Sequence, residues 1–255
     1  YEHAEWILHK FDEFCNQEQV ETPVITQELA GKWGTLRKTE TKVTLAGRIS
    51  VLRQLSLYMQ AYGIKCYVPR NFTRKSNRSA YVLSIEEIQS LFLEIDSYQP
   101  TINAEVFHRL ALEYRILFRI LFCCGLRVSE ARKLRLDMVD LENGVLKIYQ
   151  SKGSNDRLVY LPDDLRQLCC EYLKIMTVKY KIKSEWFFPA SDPAKVLQVA
   201  SVGKRFHRAW EQTPYARERA LQPTVHSLRH TFVVLRMNEW MKSGVKLDNM
   251  MPYLS

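Results

Sequence analysis

Three short stretches hold the side chains with chemical potential: CGLRVSEARKL (124–134), the polar turn SKGSND (151–156) and HSLRHTF (226–232). Arg127 follows Gly125 at the end of an apolar run, where a half-buried guanidinium needs anions for its five donors. Glu130, three residues on, offers a local ion pair as an equally good explanation of Arg127 taken alone. His226 and Arg229 are also three apart, just after Pro223 and the N-cap candidate Thr224. That spacing puts both on one face near a helix N-terminus, where backbone N–H groups favour phosphate. A single histidine is more often satisfied inside a core, and a turn lysine such as Lys152 is most often solvated. Together, two arginines, a histidine and a lysine make a site for a phosphodiester. Guanidinium groups hold non-bridging oxygens, and an ammonium donates a proton to a leaving oxygen.

The carboxylates show no spacing of the kind a divalent-metal nuclease needs, so charge neutralisation falls to basic side chains and no cofactor is expected. Six cysteines, with Cys123–Cys124 and Cys169–Cys170 adjacent, suit neither metal spacing nor easy disulfide geometry and read as reduced and cytosolic. No run of about 18 apolar residues occurs, so no membrane role is expected. The net charge of +9 favours an anionic partner. Its distribution says more. Residues 1–31 carry −6, whereas 32–78 carry +10 with Glu40 as the lone acid.

The elements that must position these residues follow from periodicity. Residues 1–70 read as helical, with Trp6, Ile7, Phe11 and Phe14 at helical spacing. A second helix fits 44–62, where Leu45, Ile49, Leu52, Leu55 and Tyr58 form one stripe and Arg48 and Arg53 lie off it. The segment PRNFTRKSNRSA has the composition of a basic linker, assigned to 71–81, and of a strap along phosphates. A second domain (82–255) starts with a capping box at Ser84 and Glu87, with Ile85, Ile88, Leu91 and Phe92 as its buried face. Residues 106–122 form a strongly apolar helix, 145–162 a hairpin, and 164–178, 201–212 and 225–242 further helices. The expected fold is mainly α with a small β-sheet (α+β).

Taken in order, GLRVSE, SKGSNDRLVYLP and HSLRHTF resemble the first-arginine box, the β-turn lysine and the His-x-x-Arg box of the tyrosine recombinases, or phage integrase family. The resemblance covers about 80–255, and residues 1–70 are similar to the family's helical core-site DNA-binding domain.

That resemblance implies a clamp on the scissile phosphate by Arg127 and Arg229, with Lys152 as general acid to the departing 5′ oxygen. His226 would assist proton transfer and Glu130 would support the clamp. The implied reaction is attack by a tyrosine hydroxyl to give a 3′-phosphotyrosine link, then strand exchange by a 5′ hydroxyl, without cofactor. Implied partners are double-stranded DNA, a tetramer on two duplexes, and accessory DNA-bending or directionality proteins, in a bacterial nucleoid-associated setting. Lys38, Lys42, Arg48, Arg53, Arg70, Arg74, Lys75, Arg78, Lys204, Arg205 and Arg208 are the DNA-contact candidates.

The family pattern continues to a Gly-His or Gly-Trp and then the tyrosine, and MPYLS resembles the stretch just before them, so Tyr253 reads as a packing residue. The chain as given is therefore expected to bind DNA and not to cleave it. The leading expectation is an integrase or transposase of a mobile element. The alternatives are a non-catalytic DNA-binding protein with the same fold and a type IB topoisomerase.

Overall fold

The computed structural model describes residues 2–22, 24–70, 79–149, 156–246 and 250. The chain divides into two compact units, Tyr1–Arg78 and Ser79–Ser255. In the first, α1 (Glu2–Gln17), α2 (Gln27–Trp33) and α3 (Lys42–Ala61) enclose a small core. Two threonines mark helix starts within the region read as helical, the second close to the start expected for the helix at 44–62. Thr26 and Thr41 sit in extended backbone, and each hydroxyl accepts the N–H three residues ahead, of Leu29 and Thr44, at 3.1 Å. Ile7, Phe11, Leu29, Trp33, Ile49 and Leu52 are buried together, each contributing about 1.5–3 kcal/mol by leaving water. Trp6 and Tyr58, expected on the apolar faces, are 56% and 61% exposed because a three-helix unit is too small to cover the full width of either stripe.

In the second unit α4 (Ile85–Ser97) begins with the expected capping box: the Ser84 hydroxyl accepts Glu87 N–H and the Glu87 carboxylate accepts Ser84 N–H. Ile88 and Leu91 are buried, but Ile85, in the first turn, is 62% exposed. The central helix α5 (Glu105–Cys123) buries Leu117, Phe118, Ile120 and Leu121 and packs against α4, the short α6 (Val128–Arg132), α7 (Asp163–Val178) and α9 (Val225–Lys242). The helix α8 (Val199–Gln212) packs on α4 and α9.

Between α6 and α7 lies an antiparallel sheet in the order β1 (Val139–Asp140), β2 (Val145–Ile148), β3 (Arg157–Tyr160). Leu146 and Ile148 face the core while Val145 and Lys147 are only partly covered, the period of two expected for a sheet with one buried face. The β2–β3 register pairs Ile148 with Arg157; Lys152 falls in the sequence between them, outside the described residues. β1 was not expected from the sequence; two residues are too few to show a period.

Arg109, paired with Glu113 inside α5, ties that helix to the 189–191 segment. Arg109 donates to Glu113 one turn on, and to the carbonyls of Ala190 at 2.8 Å and Ser191 at 3.4 Å. Burial pushes the Glu113 carboxyl up to about 8, with Arg109 opposing.

Candidate phosphodiester site

The site is assembled where α5 ends. Cys124 caps the helix and Gly125 reverses the chain in the left-handed region (φ 63°). A Cβ on Gly125 would lie 2.2 Å from the Phe232 ring of α9, so only glycine allows α9 to approach this closely. Leu126 is then buried, and Arg127 emerges as the N-cap of α6.

Glu130, at the third position of α6, turns back on Arg127. Its Oε2 accepts the Arg127 backbone N–H at 2.8 Å and its Oε1 accepts the Arg127 Nη1 at 2.8 Å. The local ion pair weighed from the spacing is therefore present. It occupies only one end of the guanidinium: among the described residues, Arg127 Nε and Nη2 donate to nothing, and the side chain is 27% exposed.

Arg157, the first residue of β3, donates Nη1 and Nη2 to the same carboxylate at 3.2 and 2.9 Å. Burial pushes the Glu130 carboxyl up, but the hydrogen bonds from Arg157 and from Arg127 outweigh it and hold the group below its ordinary value. It is an anion at neutral pH.

The α9 helix supplies the remaining groups. Thr224 is its N-cap, and Thr224 N–H donates to the Ser227 hydroxyl at 3.0 Å. Arg229 donates Nη1 to the Gly125 carbonyl, which brings the second arginine to the turn that precedes the first. Burial and then the Arg127 charge depress the Arg229 guanidinium, partly offset by Glu130; an arginine remains cationic all the same. His226 is exposed, its ring set edge-on to His230 at 4.5 Å between centroids. Desolvation, then the positive surroundings of His230, Arg229 and Arg127, hold its imidazole below the ordinary value. The ring is neutral at pH 7, able to pass a proton in either direction.

The structure thus brings together Arg127, Glu130, His226 and Arg229, four of the five residues picked out for chemistry, and adds Arg157. Lys152 lies outside the described residues, as does Tyr253. No group of three or more His, Cys, Asp or Glu side chains with metal-binding geometry occurs among the described residues. No described helix is long and apolar enough to cross a membrane.

The DNA-contact candidates divide. Lys38, Lys42, Arg70, Lys204 and Arg208 are exposed, and Arg53 is partly covered, donating to the Pro69 carbonyl at 2.8 Å. Arg74, Lys75 and Arg78 lie outside the described residues. Two expectations are corrected. Arg48 is buried, held by Glu40 and the carbonyls of Trp33 and Thr35 beneath the Trp33 ring, because Glu40 folds over from the loop before α3. Arg205 is buried against the Tyr98 ring, on the face of α8 that also buries Val202, Phe206 and Ala209.

Comparison with known proteins decides the family. The phage integrase family matches residues 82–247. The chain belongs to this family, the tyrosine recombinases. Its integrase sequence is 31% identical over 139 residues to the tyrosine recombinase XerD of Pseudomonas aeruginosa, covering 52% of this chain and 44% of XerD. XerC of Natranaerobius thermophilus is 26% identical over 203 residues, covering 76% of this chain and 63% of XerC. The matched stretch therefore spans less than two thirds of either relative. Among solved structures, the Tn1549 transposon integrase in complex with transposon right end DNA matches with TM-score 0.66 at 15% identity, covering 100% of this chain and 85% of that one. The XerH site-specific recombinase bound to difH substrate matches with TM-score 0.64 at 22% identity, covering 91% and 68%. At these identities the structures establish a shared fold.

Arg157 was missed as a site residue. It stands within the quoted SKGSNDRLVYLP stretch, but its partner is 27 residues away, and no local spacing marks the pairing.

Proposed function

We propose that this integrase chain belongs to a site-specific recombinase of a mobile element, which cuts and rejoins DNA through a 3′-phosphotyrosine intermediate. The observation that carries the reading is the convergence of Arg127 and Arg157 on the Glu130 carboxylate, with Arg229 held at the adjoining Gly125 turn and a neutral His226 at the start of α9. Three guanidinium groups and one carboxylate leave a net positive site, which suits a phosphodiester that gains negative charge as a fifth oxygen approaches.

In the proposed reaction Arg127 uses its remaining donors, together with Arg229, on the two non-bridging oxygens. A tyrosine hydroxyl forms the new P–O bond as the P–O5′ bond breaks. Lys152 gives its proton to the departing 5′ oxygen, and His226, neutral at rest, accepts and returns the tyrosine proton. The 5′ hydroxyl of a partner strand then attacks the phosphotyrosine and releases the tyrosine, so bond energy is conserved and no cofactor is consumed. The exposed Lys38, Lys42, Arg70, Lys204 and Arg208 would contact backbone phosphates, in keeping with the net charge. Assembly as a tetramer on two duplexes and help from accessory DNA-bending proteins belong to the same proposal, as does residence at the bacterial nucleoid.

The test uses the product of the full reading frame on a duplex nicked beside the candidate crossover site, with covalent protein–DNA adducts read on denaturing gels. The expected result is an adduct whose formation slows by about 100- to 1000-fold on Arg229→Ala, the loss typical of one transition-state donor. A protein that shifts DNA but forms no adduct at any cognate site would overturn strand exchange in favour of a binding protein with this fold.

A further inference from the structure

The proposed clamp leaves one arginine without an assigned task. Arg157 does not belong to either arginine box, yet it makes the most complete hydrogen-bonding contact in the site, a two-pronged fork on the Glu130 carboxylate. Glu130 in turn receives four donations: two from Arg157, one from the Arg127 backbone and one from the Arg127 side chain. The carboxylate is only 6% exposed and Arg157 17%, so water screens their interaction little.

Electrostatic balance gives this arrangement a function. A buried carboxylate facing Arg127 alone would set one negative charge against one positive charge. The pair would present little net charge to a phosphate, and the guanidinium would be drawn into the pair. With Arg157 on the other side, two guanidinium groups share one carboxylate, and the trio keeps one net positive charge. Glu130 can then hold the Arg127 backbone and Nη1 in place without cancelling the charge that Arg127 directs outward. The planar fork of Arg157 also fills the remaining acceptor directions of Glu130, which limits the carboxylate to a single orientation.

We propose that Arg157 is a positioning residue of the recombinase site: by forking onto Glu130 it offsets that carboxylate and frees Arg127 to act on the scissile phosphate. The inference rests on the reading of the site given under Proposed function. Arg157 does not touch the phosphate in this scheme; it acts through Glu130.

Adduct formation on the nicked duplex at saturating protein tests this with Arg157→Met, Glu130→Gln, the double variant Arg157→Met/Glu130→Gln, and Arg157→Lys, each beside a DNA-binding isotherm and a thermal unfolding curve. Arg157→Met is expected to slow adduct formation roughly 10- to 100-fold, by analogy with residues that orient a metal's ligands without touching the metal. Its DNA affinity should stay within a factor of about 3, because no phosphate contact is lost. The double variant should be faster than Arg157→Met, since the amide has no charge to set against Arg127. A merely structural role for Arg157 does not allow that recovery. Arg157→Lys, with charge but no fork, should fall between wild type and Arg157→Met.

A double variant no faster than Arg157→Met, an unchanged rate in Arg157→Met, or a loss seen wholly as weaker DNA binding would each overturn the proposal. If Arg157→Met does not fold, Arg157→Lys with and without Glu130→Gln makes the same comparison, and absence of recovery there overturns it equally. Absence of an adduct in the wild type would instead overturn the recombinase reading itself.

Discussion

Arg48 in the first unit and Arg127 in the second are both arginines held by a nearby glutamate, yet one is closed and the other open. Arg48 gives Nε and Nη2 to the two oxygens of Glu40 at 2.9 and 2.7 Å, and its other donors reach the carbonyls of Trp33 and Thr35. The Trp33 ring covers its face at 4.7 Å, and the side chain is 5% exposed. Arg127 spends Nη1 on Glu130 and keeps two donor nitrogens without partners among the described residues. The difference lies in what takes the donors that each glutamate leaves. Glu40 is satisfied by Arg48 and by Arg37 N–H at 3.3 Å and takes two of the three guanidinium nitrogens, while the Trp33 carbonyl takes the third. Glu130 is satisfied largely by Arg157, so it takes only part of Arg127. Arg48 is closed because backbone carbonyls take the donors its acid leaves, and Arg127 is open because, among the described residues, nothing takes its Nε and Nη2.

Stability should separate the two arginines most sharply. Arg48→Met leaves Glu40 without its main partner and is expected to destabilise the first unit by about 3–5 kcal/mol in urea unfolding. Arg127→Met, whose acid keeps Arg157, should cost clearly less than Arg48→Met while abolishing most adduct formation. Equal losses of stability would erase the distinction.

Gly125→Ala attacks the joint between the arginine boxes. The strained φ and the collision with Phe232 predict a loss of roughly 2–3 kcal/mol, measured as a shift of the unfolding midpoint. Because the Gly125 carbonyl accepts Arg229, slower adduct formation should accompany it. An alanine variant of normal stability and rate would show that α9 does not depend on this close approach.

The closed and open cations of α8 give a smaller contrast. Arg208→Ala should reduce the salt dependence of DNA binding by about one counterion, as expected for an exposed phosphate contact. Arg205→Met, buried against Tyr98, should leave that slope unchanged and cost about 1–2 kcal/mol of stability. A change in slope for Arg205→Met would return it to the set of DNA contacts.

The smallest effect is that of His226. Its imidazole titrates below the ordinary 6.5 in the folded protein, chiefly through desolvation and then through its cationic neighbours. Between the folded and unfolded values the unfolded chain binds more protons, so this stabilising contribution is present above pH 6.5 and is lost as pH falls. Wild type should therefore lose more stability than His226→Gln between pH 7.5 and 5.5. A larger loss in His226→Gln would reverse the sign assigned to the site's field.

Much of this was legible along the chain. The cap at Ser84, the apolar run that becomes α5, the alternation of β2, and the spacing of Arg127 with Glu130 and of His226 with Arg229 depend on neighbours within four residues, and local sequence reports such neighbours directly. Helical periodicity was a poorer guide to which basic residues face solvent. Arg48 and Arg205 look like members of a basic surface until Trp33, Glu40 and Tyr98 are seen to cover them.

The sequence by itself therefore determined the longer helices, the hairpin and the residue types of the site, because these are written in short-range spacing, whereas short elements such as β1 are not. Only the tertiary structure decided which charges are spent and which remain. Arg229 meets Gly125 across 104 residues and Arg157 meets Glu130 across 27. A guanidinium's availability depends on how many donors its surroundings consume, and those surroundings come from distant parts of the chain.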